Sequence, residues 1–433
     1  MSPGTPSGAA GLSIGPLSFA PGFSRANIAT VSVVAYSTLA VLTFMSFAQP
    51  YVLTEILHIP AGRQGTLTGN LAAIQEIMVI LTMGFFGAWS DRVGRRRVFI
   101  IGYLLLAFGY FIYPLAGDES RLMLYRALFG LGAACAPVML SILIQDSCQE
   151  ESRGRWVAWN SIFTGLGVIS MALLLARTPA WYRSLGADPV MAGRQAFWTT
   201  TVLCLLVPVV LWFGLRPGAG GPAAHRSILG RVGDGFQAGL RNPRLAVAYG
   251  AAFVGRGDLV VISTFLSLWV VQYGGEHGVP TAEALTQAGK LFGIVQAAAL
   301  LWAYCMGLIA DRVDRMTGLC IALVLATAGY ASMGLIENPL GGWMIPAAIL
   351  LGMGEISVLI AAGALLGQEA RAETRGAVVG VFGLLGGVGI LFVTYVGGLV
   401  FDGLGRTAPF VMVALLNLLL LGAAALVRRR AAP

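Results

Sequence analysis

Twelve apolar stretches, each about twenty residues long, constrain this chain more than any other feature of its sequence. They fall at 28–50, 66–89, 98–116, 121–145, 156–177, 196–215, 245–272, 286–309, 316–336, 343–367, 376–400 and 408–427. In hydrocarbon every backbone polar group must be satisfied internally, which a helix of this length achieves. Composition agrees: 57% of the 433 residues are hydrophobic and 11% are charged, whereas a soluble domain carries roughly 25% charged residues. A soluble enzyme, a nucleic-acid binder and a disordered chain are thereby excluded. The first stretch is too long for a signal-peptide core and lacks a basic lead, so it is read as a retained helix.

Arginine sets the orientation. With the N-terminus inside, the inner segments hold Arg25, the run Arg92, Arg95, Arg96 and Arg97, and the pairs at 153/155, 312/315 and 371/375. They also hold five arginines between 216 and 244 and three at 428–430, nineteen in all against six outside. The positive-inside rule then puts both termini in the cytoplasm, and the net charge of +8 reports orientation, with no nucleic-acid partner implied. A single lysine, Lys290, and abundant Ala, Gly and Arg suggest a high-GC bacterial genome, and the expected location is a bacterial inner membrane. The division is a flexible cytoplasmic lead at 1–27, six helices at 28–215, a linker at 216–244, six helices at 245–427 and a tail at 428–433. In the linker Ile228, Val232, Phe236 and Leu240 recur every four residues, as in an amphipathic helix lying on a membrane surface; a flexible linker is the alternative.

A repeat joins the two halves. Gly87-Ala-Trp-Ser-Asp91-Arg92-Val-Gly94-Arg95-Arg96 after span 2 is echoed 220 residues later by Gly307-Leu-Ile-Ala-Asp311-Arg312-Val-Asp314-Arg315. Glu151-Ser-Arg153-Gly154 and Gly130-Leu-Gly132 recur 222 residues on, as Glu373-Thr-Arg375-Gly376 and Gly352-Met-Gly354. Internal repeats of this kind are a signature of transporter folds. The first segment resembles the loop 2–3 signature of the major facilitator superfamily, GxxxDRxGRR, and the stretch from Arg126 to Gly132 resembles that family's helix 4 signature. The second copy departs at Asp314, where glycine is expected. The resemblance implies an all-α membrane protein of twelve transmembrane helices in two pseudo-symmetric six-helix bundles around a cavity that opens alternately to either side. It also implies that Gly87, Asp91, Arg92, Gly94 and Arg95, with Asp311 and Arg312 in the second copy, form a conformational latch on the inner face. A stop-transfer cluster is the plainer reading of the same charges.

Ionisable groups deep in a bilayer cost at least ~2.5–3.5 kcal/mol, which makes each one a functional candidate. Glu76 with Gln75 lies mid-span 2, Arg126 in span 4, Arg256 and Asp258 in span 7 and Glu355 in span 10. Gln296 stands eleven residues before Gly307, as Glu76 stands before Gly87. Arg256 and Asp258 point ~200° apart on an ideal helix, so both face a cavity only if Gly255 and Gly257 let the backbone unwind. Structural ion pairing, Glu76 with Arg126 or Arg256 with Glu355, is the competing explanation. Trp89, Trp156, Trp198 and Trp343 near span ends read as interfacial anchors.

The five cysteines and three histidines show no metal-ligand spacing, there is no GxxxxGK[ST] phosphate loop, and no nucleophile–base arrangement is present. Neither a cofactor, a metal nor catalysis is expected. Span 5 has no proline, unlike the glycine–proline signature of drug/proton antiporters in the family. The expectation is a monomeric, proton-coupled secondary transporter of a small organic solute, working by rocker-switch alternating access. A multidrug exporter and a ligand sensor built on a transporter fold are the alternatives.

Overall fold

The computed structural model describes residues 12–15, 17–20, 22–215, 228–371 and 374–431. The first half is α1 (Arg25–Tyr51, extended by a π-helical turn Val52–Ile56), α2 (Ala61–Val93), α3 (Arg95–Ile112), α4 (Glu119–Ser147), α5 (Arg153–Leu174) and α6 (Pro189–Gly214). The second is α7 in four pieces (Pro243–Gly255, Asp258–Val261, the π-helical Ile262–Leu266 and Ser267–Glu276), then α8 (Thr281–Arg312), α9 (Arg315–Met333), α10 (Met344–Glu369), α11 (Arg375–Leu404) and α12 (Ala408–Ala431). Among the described residues eleven helices are long and apolar enough to cross a membrane; α7, broken at Arg256–Gly257, completes the twelve. Many large apolar side chains are exposed on this bundle, Phe213, Leu301 and Leu419 among them, as a lipid-facing surface requires.

Local sequence explains where the helices begin. Ser24 and Asn27 cap α1 reciprocally, and Asp118, Asp188 and Asn242 accept from free backbone N–H groups at the starts of α4, α6 and α7. Such caps are each worth about 1 kcal/mol. The α2–α3 turn needs Gly94, whose φ of +98° lies where a Cβ is disfavoured. In the second copy Asp314 keeps an ordinary φ of −54° and its side chain caps α9 through Met316 N and Thr317 N. The departure from the glycine is thus a different solution to the same turn.

Alternate ends of the helices define two faces. The basic face carries the α2–α3, α4–α5 and α10–α11 connections; the other is called here the opposite face. The lead, expected to be flexible, is partly ordered on the basic face. Ser13–Ile14 pairs with Leu17–Ser18, and Phe19 is buried edge-on against Trp156 at 5.1 Å. Backbone bonds Ala20 N to Ser147 O and Gln149 N to Ser18 O tie it to the α4–α5 connection. Trp156 is therefore a packing residue, fully buried with its Nε1 donating to Ser147 Oγ, and not the interfacial anchor its position suggests.

The linker contains a helix, Ile228–Arg241. Gly235 abuts Ala377 and Val381 of α11 and Gly239 abuts Tyr249, while Phe236 and Leu240 are exposed. The side chains of Ile228 and Val232, and residues 216–227, lie outside the described residues.

Of the five cysteines Cys305 is exposed and the other four are buried. In detergent, a small maleimide should modify one thiol per chain rapidly, and mass spectrometry should locate it at Cys305. Fast modification at any second cysteine would contradict the packing of α3, α4, α6 or α9.

Candidate functional site: a charged cavity between the two halves

Five helices enclose a cavity of about 320 Å³ midway through the bundle. Leu39, Thr43 and Ser46 of α1, Gln75, Glu76, Val79, Ile80 and Met83 of α2, and Ala133 and Pro137 of α4 line it from the first half. Arg256, Val260 and Ser263 of α7 and Gly383, Leu384, Gly387 and Ile390 of α11 line it from the second. The wall is mostly apolar, with a few convergent polar groups, the usual make-up of a small-molecule site.

Glu76 and Arg256 approach this space from opposite halves. Glu76 is 9% exposed and faces α11, where a methyl on Gly387 would stand 3.1 Å from its Oε1. Arg256 is placed by the break the two glycines allow: Gly255 ends one helical piece and Asp258 starts the next. Its exposed side chain lies along Gly386, with the guanidinium 5.9 Å from the Phe382 ring centre. Glu76 and Arg256 share the cavity without an ion pair closer than 4 Å among the described residues. Each therefore has capacity for another partner. The side chain of Asp258 lies outside the described residues.

Arg126 and Glu355 sit elsewhere, each within its own half. Arg126 is 1% exposed; its Nη2 donates to Ser46 Oγ at 2.6 Å, and its guanidinium lies 5.9 Å and 5.7 Å from the Tyr113 and Phe129 ring centres. Its Nε and Nη1 have no hydrogen-bond partner among the described residues. Ser46 is the link, since it also lines the cavity. Glu355 accepts from Gln296 Nε2 at 3.2 Å, beside the Trp302–Ser357 bond of the same helix pair. The ion pairs Glu76–Arg126 and Arg256–Glu355 are both absent among the described residues. Thr43 and Ser46, which complete the polar lining, carry no charge to mark them in a sequence.

Among the described residues the cavity is sealed on the opposite face and open on the basic one. Toward the opposite face α2 and α11 touch backbone to backbone: a Cβ on Gly69 would meet Thr394 O at 2.7 Å, and one on Gly398 would collide with Gly65 O. A Cβ on Gly289 of α8 would likewise strike Ala172 O of α5. Toward the basic face the same helices part. Among the described residues, Gly84 and Gly383 have nothing within 4 Å of a built Cβ, nor has Gly307.

On the basic face the latch residues stay within their halves. Arg95 pairs with Asp146 at the end of α4. Arg96 stacks on Trp212 at 4.6 Å and donates to the Leu215 carbonyl, closing the end of α6. Asp311 pairs with Arg315 at 3.2 Å, and Arg244 bridges toward Asp314 and Glu369. None of the described ion pairs of Asp91, Arg92, Arg95, Asp311 or Arg312 spans the two halves.

Two six-helix halves around a membrane-level cavity, closed at one end, define a membrane transporter. The comparisons agree. The sequence pattern of the Major Facilitator Superfamily matches residues 29–394, and the chain belongs to that family. It is 26% identical over 387 residues to the magnetosome protein MamH of Paramagnetospirillum magneticum, covering 88% of this chain and 87% of that one. It spans 57% of the longer magnetosome protein MamZ of the same organism, also at 26% identity and over 84% of this chain. The class B tetracycline resistance protein of Escherichia coli is 22% identical over 72% of this chain and 73% of its own. Among solved structures, the nucleoside transporter NupG superposes with a TM-score of 0.71 at 12% identity, over 93% of this chain and 99% of its own.

Proposed function

We propose that the chain is a proton-coupled secondary transporter of a small organic solute, working as a monomer in a bacterial inner membrane with both termini cytoplasmic. The observation that supports this is the 320 Å³ cavity holding Glu76 on one half and Arg256 on the other. Arg256 offers an anionic or zwitterionic solute a forked cation on a mostly apolar wall, able to make two parallel charge-assisted hydrogen bonds. Glu76 is the proton carrier in this reading. A basic partner favours the charged form of a carboxyl group and burial disfavours it. When rocking carries Arg256 away with the second half, Glu76 is left buried and takes up a proton. The other face then closes through the latch of Asp91, Arg92 and Arg95.

Proteoliposomes loaded with a pH dye and challenged with a panel of carboxylic acids, amino acids and nucleosides test this. A solute of that panel should drive alkalinisation or acidification in the wild type. Glu76→Gln should abolish the proton signal while leaving solute exchange measurable, and Arg256→Gln should raise KM at least about tenfold, as loss of one charge-assisted contact predicts. An undiminished proton signal in Glu76→Gln would refute the coupling role.

One observation favours a second reading, multidrug export. The cavity wall is mostly apolar, with Leu, Ile, Val and Met among its residues, and the tetracycline resistance protein is among the relatives. Proton-driven efflux of a hydrophobic cation such as ethidium from the same proteoliposomes, with no response to the organic acids, would decide for it.

A further inference from the structure

We propose that Asp402 is the clasp that holds the opposite face shut, by gripping the start of α2 from across the two halves. Asp402 stands at the end of α11, just beyond the apolar stretch. Its Oδ1 accepts from Gly65 N at 2.9 Å and its Oδ2 from Thr66 N at 2.6 Å. Gly65 and Thr66 are the fifth and sixth residues of α2, so the carboxylate shares N–H groups that also serve their own helix, close to the positive end of its dipole. A second contact crosses at the same helix end: the Ala61 carbonyl accepts from Gln272 Nε2 of α7 at 2.9 Å. Gln272 Nε2 also lies 3.2 Å from Gln64 Oε1, and its own oxygen accepts from Arg406 Nε at 3.1 Å. Arg406 in turn pairs with Glu276.

That ion pair, like those on the basic face, stays inside one half, whereas the Asp402 carboxylate bonds across. It does so without a basic partner within ion-pair distance among the described residues, so the positive end of α2 supplies the counter-charge. Phe401 beside it is buried and stacks on Phe265 of α7 at 5.7 Å, which keeps water from the inner side of the clasp. When the halves rock apart, the carboxylate returns to water and the α2 amides keep their own helix, so the grip is released without stranding a buried charge. A buried ion pair at this place would be far more costly to open. The clasp thus biases alternating access, the cycle proposed above, without locking it.

The test reads the opposite face directly. Spin labels at Ser120→Cys in the first half and Glu283→Cys in the second, both on exposed helix starts, report its width in lipid nanodiscs on a Cys305→Ser background. The wild type should give one short distance. Asp402→Ala should add a longer population, moving the ratio of the two about tenfold, in line with loss of a charge-assisted contact. Asp402→Asn, which keeps the shape and one acceptor oxygen, should fall between. Gln272→Ala should widen the face independently and add to Asp402→Asn. Folded Asp402→Ala and Asp402→Asn proteins with the wild-type distribution would overturn the proposal. If Asp402→Ala does not fold, the isosteric Asp402→Asn with Gln272→Ala decides it on the same criterion. Solute flux in the wild type tests the transport reading separately.

Discussion

Arg126→Met should make the protein more stable and should stop it transporting. The guanidinium is 1% exposed, and what it touches does not neutralise it. It has one hydroxyl at 2.6 Å and two aromatic faces near 6 Å, with Nε and Nη1 unpartnered among the described residues. A charge held in the bilayer interior costs at least ~2.5–3.5 kcal/mol. One charge-assisted hydrogen bond of about 1.5–3 kcal/mol and cation–π contacts of about 2 kcal/mol at most are of the same order as that cost, so the charge brings little or no net stability. Methionine fills similar volume without the charge, and replacing buried charges by well-packed apolar groups is often stabilising by about 1–4 kcal/mol. A rise of several degrees in melting temperature is therefore expected. A residue held against stability is one held for function, and here Ser46 carries its influence to the cavity wall. We expect solute flux to fall by about a hundredfold, equivalent to one lost contact of about 2.7 kcal/mol at the limiting barrier. Arg126→Lys, which keeps the charge and loses the planar fork, should fall less. Melting curves and proteoliposome flux on the three proteins check this. A destabilised Arg126→Met with normal flux would show the arginine to be a structural prop.

Position along each helix was legible residue by residue; rotation about the helix axis was not. The apolar stretches located all twelve spans, and the Gly255-Arg-Gly257 string marked the one that breaks. The charges in those stretches fall within the helices of the bundle or at the break in α7. Which charges meet depends on helix rotation and on the partner helix, and single-helix spacing supplies neither. So Gln75, Glu76 and Arg256 share a cavity, while Arg126 and Glu355 turn into their own halves. Trp156 illustrates the same limit, since the lead that buries it is remote in sequence. Nothing in the sequence marks Asp402, because it lies beyond the end of its span, where a carboxylate ordinarily faces water. The closing seams were written in the sequence as Gly65-xxx-Gly69 and Gly289-xxx-Gly293, a spacing that favours close helix approach. Gly69 and Gly289 even stand 220 residues apart, at the repeat offset. Their partners, α11 and α5, emerge only from the packing.

Those seams carry the second large effect. Gly398→Val should push the protein toward the state open on the opposite face. At Gly398 the neighbour is backbone, Gly65 O and the Gly69 main chain, and backbone inside two packed helices cannot swing aside as a long side chain can. Overpacking costs about 1–3 kcal/mol. Within a half that cost falls on folding. Between halves it falls on one of two states, because rocking apart relieves it, and the ratio of states shifts by about 5- to 150-fold. Spin labels at Gly154→Cys and Gly376→Cys read the basic face, since both positions are exposed, lie in different halves and have nothing within 4 Å. On a Cys305→Ser background the distance between them should shorten in Gly398→Val, as the basic face closes when the opposite one is wedged open. Gly380→Val, with open space around it, should leave both stability and distance unchanged. Gly132→Val should lower the melting temperature without moving the distance, because its neighbours, Leu106 N and Gly102 O, belong to the same half. If Gly398→Val instead behaves like Gly132→Val, losing stability at a fixed distance, then the α2–α11 seam is part of a rigid core and the halves do not part there.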